Sequence, residues 1–228
     1  MESLGYSVLV RSFVQDGIVF RNIIASREPF GSAGKDSREI LLMCSYDGMG
    51  TISGKMYPGA DSNASGVAAL LSLAEILKGR ANMVFAFVDG HNANSAGALA
   101  LKEQLSGRKL RMVANIDIIG STLSPVESAW KRYMIILGGS SFENRLERLN
   151  EGLGLHLYYS YYRSKSFTEL FYRKVSDHRF FLGKGIPVLY FTSGITLDTN
   201  RTTDTADKLD YPVLAQRVEL IARLLESI

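Results

Sequence analysis

The chain alternates short, continuous apolar runs with longer segments whose apolar residues recur every third or fourth position. The short runs are residues 40–45, 83–89, 112–117, 133–137 and 188–191. They lack polar alternation, so they predict strands buried on both faces, the signature of a largely parallel sheet. The longer segments, residues 64–78, 95–105, 142–151 and 212–226, predict helices between those strands. In the last, Leu214, Val218, Ile221 and Leu225 fall on one face. Residues 6–13 and 17–25 predict an N-terminal hairpin turned at Gln15-Asp16-Gly17. The expected class is α/β. No repeat, low-complexity tract or internal linker interrupts the pattern, so residues 1–228 are expected to form one domain.

Composition narrows the classes. At 228 residues and 46% hydrophobic the chain can bury a sizeable core. Its 26 Lys+Arg against 23 Asp+Glu leave only +3, too little for a nucleic-acid footprint. No stretch reaches the roughly 18 apolar residues of a membrane helix. The N-terminus has no basic region leading into an apolar stretch, so no signal peptide is visible and the compartment is left open, as is the native start of the chain. The single cysteine, Cys44, rules out an intrachain disulfide and reads as a buried small hydrophobe in Ile40-Leu41-Leu42-Met43-Cys44.

Candidate chemistry gathers at the strand ends. Ser45, Asp47, the run Asp89-Gly90-His91-Asn92 and Asp117 all follow predicted strands, and open α/β sheets bind ligands beyond those ends. Asp61 to Gly66 opens a helix, where free N–H groups favour polar caps. A shared polar pocket is expected there.

The run Gly59-Ala60-Asp61-Ser62-Asn63-Ala64-Ser65-Gly66 resembles the Gly-Ala-Asp-Asp-Asn-Ala-Ser-Gly signature of zinc aminopeptidases of the bacterial leucyl aminopeptidase and glutaminyl cyclase type. The resemblance runs from about Asn22 to the C-terminus. It includes Asn115-Ile116-Asp117-Ile118-Ile119-Gly120, Ser176-Asp177-His178 with Gly185-Ile186-Pro187, and Asp204-Thr205-Ala206-Asp207-Lys208. It implies a three-layer α/β/α sandwich around a mixed, largely parallel sheet, and in the family a pair of zinc ions. The family's His-x-Asp reads Ser45-Tyr46-Asp47 here, and the carboxylate that bridges the two metals is Ser62. The family's Asp-Gly-Glu-Glu reads Asp89-Gly90-His91-Asn92, which puts His91 at the general-base place and Asn92 at a ligand place. The last ligand histidine is replaced by Asn200, and only Asp117 keeps a ligand's identity. Alcohols and amides are poor zinc ligands beside carboxylate, imidazole or thiolate. No zinc and no other cofactor is therefore expected. A rebuilt calcium or magnesium site would need Asp47 to turn inward beside Asp117.

His91 can in principle act as a base near neutral pH, with Ser45 or Ser62 as nucleophile and Asp117 as the orienting carboxylate. No Gly-x-Ser-x-Gly turn supports such an arrangement, and a polar histidine lining a disused pocket is the simpler expectation. Ser176-Asp177-His178 cannot be a triad, because consecutive side chains diverge; Ser176 is expected to cap a helix with Asp177 in its first turn. His156 is expected to point outward on a strand, and Trp130 to anchor packing. The segment from Tyr158 to Tyr172 is rich in tyrosine, and Tyr159, Tyr161, Tyr162 and Arg163 could face a peptide or protein partner or pack as a loop. The expected function is a catalytically inactive peptide- or protein-binding or scaffold domain whose pocket holds Ser45, Asp47, Ser62, His91, Asn92, Asp117 and Asn200. The alternative is a peptidase with a rebuilt metal site, or a metal-independent hydrolase using His91.

Overall fold

A computed structural model describes residues 1–27, 38–123, 127–159, 164–183 and 185–228. Its strands are β1 (Ser7–Gln15), β2 (Ile18–Ser26), β3 (Glu39–Ser45), β4 (Gly50–Ile52), β5 (Lys55–Tyr57), β6 (Met83–Val88), β7 (Leu110–Ile116), β8 (Tyr133–Leu137), β9 (His156–Tyr158) and β10 (Val188–Thr192). The helices are α1 (Gly66–Ile76), α2 (Ala96–Gln104), α3 (Glu143–Leu149), α4 (Lys165–Leu170) and α5 (Tyr211–Glu226).

Eight strands form one mixed sheet in the order β1-β2-β6-β3-β7-β10-β8-β9, and β4 pairs β5 separately. The four central strands β6, β3, β7 and β10 run parallel, as their uninterrupted apolar runs require. Asp16 and Gly17 both have positive φ (51° and 77°), which makes the expected hairpin turn a two-residue loop matched to strand twist.

Strand β3 explains the layering. All seven of its residues are buried, and the two-residue period sends alternate side chains to opposite faces. Ile40, Leu42 and Cys44 join the core built with Leu70 and Leu73 of α1 and Val218 and Ile221 of α5. Leu41 and Met43 join the opposite core with Ala98 and Leu101 of α2 and Phe181. Each such fully buried aliphatic side chain stabilises by about 1.5–3 kcal/mol. The three-layer α/β/α arrangement follows.

Helix α5 begins where Asp210 accepts the Val213 N–H (3.0 Å), with Pro212 in the first turn. Its buried face is the expected one: Leu214, Val218, Ile221 and Leu225. That face also buries Arg217, whose guanidinium donates to the carbonyls of Ile119 (2.7 Å), Ser121 (2.8 Å) and Tyr133 (2.8 Å).

Two expectations are corrected here. The helix expected over residues 64–78 starts later, because residues 60–65 form a separate turn held by side-chain hydrogen bonds. The segment from Tyr158 to Tyr172 is not one loop, since α4 lies within it and Ser164 caps that helix by accepting the Phe167 N–H (3.1 Å). Tyr161, Tyr162 and Arg163 lie outside the described residues. His156 is exposed, as expected, and stacks on Trp130 (4.7 Å). No helix among the described residues is long and apolar enough to cross a membrane.

Candidate functional site

The parallel strands β6, β3, β7 and β10 end side by side, and the polar groups that follow them share a cavity of about 130 Å³. Ser45, Asp47, Ser62, His91, Asn92, Asp117 and Asn200 all line it. Asn63, Phe171, Ser176, Ile195 and Thr199 also contribute, and the sequence did not single these out for the pocket.

The turn of residues 60–65 forms one wall. Gly59 enters it at φ +65°, where a Cβ would stand 2.8 Å from the Ser62 carbonyl. Asp204 accepts the N–H groups of Asp61 (2.7 Å) and Ser62 (3.0 Å), so the loop after β10 is fastened to the start of α1. Asn63 reaches across the cavity floor, donating to the Ser45 carbonyl (3.2 Å) and accepting from the Ile118 N–H (2.9 Å). Gly66 must be glycine for this to fit, because a Cβ there would lie 2.5 Å from Asn63 Oδ1 and 2.8 Å from the Ile116 carbonyl. Asp61 is buried away from solvent and accepts from the Gly120 N–H (2.6 Å). Burial pushes its carboxyl up to about 6.

Asp47 does not turn inward. Its two oxygens accept the backbone N–H groups of His91 (3.0 Å) and Asn92 (3.2 Å) and the Asn92 side-chain amide (3.3 Å). The carboxylate thus holds the turn after β6, and the alternative of an inward-turned Asp47 sharing a cation with Asp117 is corrected. The second correction concerns His91. Its Nδ1 lies 3.1 Å from Asp177 Oδ2, so the facing carboxylate is Asp177 rather than Asp117. The N–H is not in line with that oxygen, so the contact is an ion pair more than a hydrogen bond. Burial alone would lower the His91 pKa, but the Asp177 carboxylate overrides it and raises the group to about 9. His91 is therefore an imidazolium at neutral pH, and Asp177 is held below the ordinary carboxylate range in return. A protonated histidine is not a general base. No hydrogen bond joins His91 to Ser45 or Ser62 among the described residues.

Asp117 is buried and accepts at Oδ2 from the Tyr190 hydroxyl (3.1 Å). Burial pushes its carboxyl up, opposed by the His91 charge. Ser62 Oγ donates weakly to Asn200 Oδ1 (3.5 Å). Ser176 stands at the expected cap position, but its hydroxyl accepts from Asn115 Nδ2 (3.0 Å) instead of capping the turn Asp177–Phe181. Behind the cavity His178 is fully buried between the rings of Tyr172 (4.6 Å) and Tyr190 (5.0 Å), and burial lowers it to about 4, so it is neutral.

The donor set does not suit zinc. At the five positions that match the family's ligands, the hydroxyls of Ser45 and Ser62, the amides of Asn92 and Asn200 and the Asp117 carboxylate already bonded by Tyr190 do not make the three strong ligands of a catalytic zinc site, while Asp47 and His91 are engaged with the turn after β6 and with Asp177. Among the described residues no group of three or more His, Cys, Asp or Glu is placed to hold a metal ion. The residues at hand do not fit the dizinc group.

Comparisons with known proteins give the geometry its relatives. The sequence model of peptidase family M28 matches residues 22–225. The fold is similar to that of the LapA aminopeptidase of Legionella pneumophila (TM-score 0.70, 15% identity, covering 96% of this chain and 58% of that one). It is similar to BSAP, a zinc aminopeptidase from Bacillus subtilis (TM-score 0.69, 19% identity, 93% of this chain and 51% of that one). It is also similar to the glutaminyl cyclase of Bacteroides thetaiotaomicron (TM-score 0.66, 14% identity, 100% of this chain and 86% of that one). The chain thus spans just over half the length of those two aminopeptidases. No curated protein matches it by sequence.

Proposed function

Because the chain belongs to peptidase family M28, we propose that it is a metal-free, catalytically inactive member whose strand-end pocket binds a peptide or protein segment. The observation that carries this reading is the internal bonding of the pocket. The group at the general-base place is tied up as a cation by Asp177, at 3.1 Å, and Asp47 is consumed by backbone N–H groups. Neutral Ser45, Ser62, Asn92 and Asn200 surround the one remaining carboxyl, Asp117. This substitution has a physical logic. Several carboxylates packed together without their metals would repel one another and be driven toward protonation. Serine and asparagine keep the pocket polar without that cost.

Metal analysis of purified protein after zinc loading, together with hydrolysis of aminoacyl-nitroanilides, tests the reading. The expected result is substoichiometric zinc and no turnover above background. Stoichiometric zinc with turnover overturns it. Zinc-independent turnover lost in His91→Ala also overturns it, in favour of a hydrolase that uses His91.

A further inference from the structure

We propose that the outer edge of β1 is a self-association surface, pairing antiparallel with β1 of a second copy of this chain about a two-fold axis at Ser12.

The sheet ends there on an open edge. β1 comes first in the strand order and pairs only with β2, through all nine of its residues and without a bulge. The β2–β6 ladder covers only Ile23 to Ser26, so the turn end of the hairpin runs on beyond it. The turn also sets which backbone groups are free. In a two-residue hairpin the flanking residues, here Gln15 and Ile18, exchange both backbone hydrogen bonds, and bonded pairs alternate from that point. The odd-numbered residues of β1 therefore bond to β2, while Val8, Val10, Ser12 and Val14 turn their N–H and C=O groups outward. Arg21, the partner of Ser12, agrees. Its N–H donates to Asp89 Oδ2 (2.9 Å) and its carbonyl accepts from the Tyr46 hydroxyl (2.7 Å), so its backbone groups also face away from the β1–β2 seam. Among the described residues no group takes up the outward set on β1.

Edges this long are normally blunted by proline, a bulge or several charges, and β1 carries only Arg11. Its exposed side chains are apolar instead. Val10 and Val14 are 54% and 68% exposed, and Val19, opposite Val14 on β2, is 52% exposed. The two-residue period puts all three on one face of the ribbon.

Register identifies the second copy as the occupant. Pairing about Ser12 sets Val10 of each chain opposite Val14 of the other. With their partners on β2, this makes two symmetric rows of Ile23, Val10, Val14 and Val19, each row drawn from both chains. On the opposite face Arg11 meets Phe13, a cation against an aromatic ring. Neighbouring registers lose these matches. Centring on Arg11 sets two guanidinium groups directly opposite each other, which is destabilising. Centring on Val10 leaves Val14 unpaired, and centring on Phe13 leaves Val10 unpaired. The assembly closes at two chains, because each uses its one long edge; β9, at the other side of the sheet, has three residues.

Sedimentation of the whole chain over a concentration series tests the proposal. A dimer and no larger species is expected. Ser12→Pro removes an outward N–H that the hairpin does not use, and Val14→Lys puts a charge into the apolar row. Each is expected to weaken the dimer by about tenfold or more, with circular dichroism and melting confirming the fold. If Ser12→Pro does not fold, Val14→Lys, at an exposed position, carries the test. Oxidation of cysteine variants reads the register, and buried Cys44 does not compete. Ser12→Cys is expected to crosslink to itself, and Val10→Cys mixed with Val14→Cys is expected to crosslink more than either alone. A monomer throughout the series overturns the proposal. So does a dimer untouched by these substitutions in folded protein, crosslinking in a different register, or an assembly that keeps growing with concentration.

Discussion

Replacing Asp177 by Asn removes the counter-charge that keeps His91 protonated, and its effect can be sized from the structure. The His91 pKa rises from 6.5 to about 9, and at 1.36 kcal/mol per unit that corresponds to about 3 kcal/mol of preference for the charged form. The side chain is 31% exposed and the N–H is off the line to the oxygen, so solvent screening reduces this to about 2 kcal/mol. The sign follows from linkage. A histidine whose folded pKa lies above its unfolded one contributes fully below about pH 6.5, and that contribution disappears as pH rises to about 9. Asp177 is shifted down, so its share is present above the ordinary carboxylate pKa of 3.8 and is lost only in stronger acid. The pair therefore stabilises most between about pH 4 and 6.5. Urea denaturation at pH 6 is expected to show Asp177→Asn less stable by about 2 kcal/mol, a Tm lower by about 4–8 °C at this chain length. The gap is expected to narrow by the same amount above pH 9. A histidine NMR titration reads the cause directly, with the His91 signal assigned by its loss in His91→Gln. A His91 pKa at or below 6.5 in the native protein, or one unmoved by Asp177→Asn, refutes the ion-pair argument.

Three further outcomes are expected. Ser62→Asp places a carboxylate beside Asp204, which already binds the Ser62 N–H at 3.0 Å, so it is expected to cost about 1 kcal/mol or less and to bring no tight zinc uptake by calorimetry. Gly66→Ala drives a methyl to within 2.5 Å of Asn63 Oδ1 and is expected to destabilise by about 1–3 kcal/mol in urea melts, with loosening of the cavity wall. Arg217→Met strips three buried carbonyls of their donor, and chemical denaturation is expected to show a loss of about 3 kcal/mol or more; a neutral result means that water or apolar packing replaces the guanidinium.

Much of this protein is legible in its residues alone, for local reasons. The apolar runs of β3, β6, β7, β8 and β10 cannot face water on either side, and Asp16-Gly17 accepts the positive φ values of a tight turn. The strand-end rule alone brings Ser45, Asp47, His91, Asn92 and Asp117 toward one crevice, and the motif matches add Ser62 and Asn200. Tertiary structure decided what these groups do to one another. Asp177 lies 86 positions from His91 along the chain, and only the packing of its turn against α2 brings the two within 3.1 Å. Asp117 is instead claimed by Tyr190 from the neighbouring strand β10, and Asp47 by backbone N–H groups of the turn after β6. Periodicity fixes which face a side chain leaves from, because that depends on backbone geometry a few residues long. Which partner it meets depends on strand order and on the loops between strands, and no local pattern encodes that.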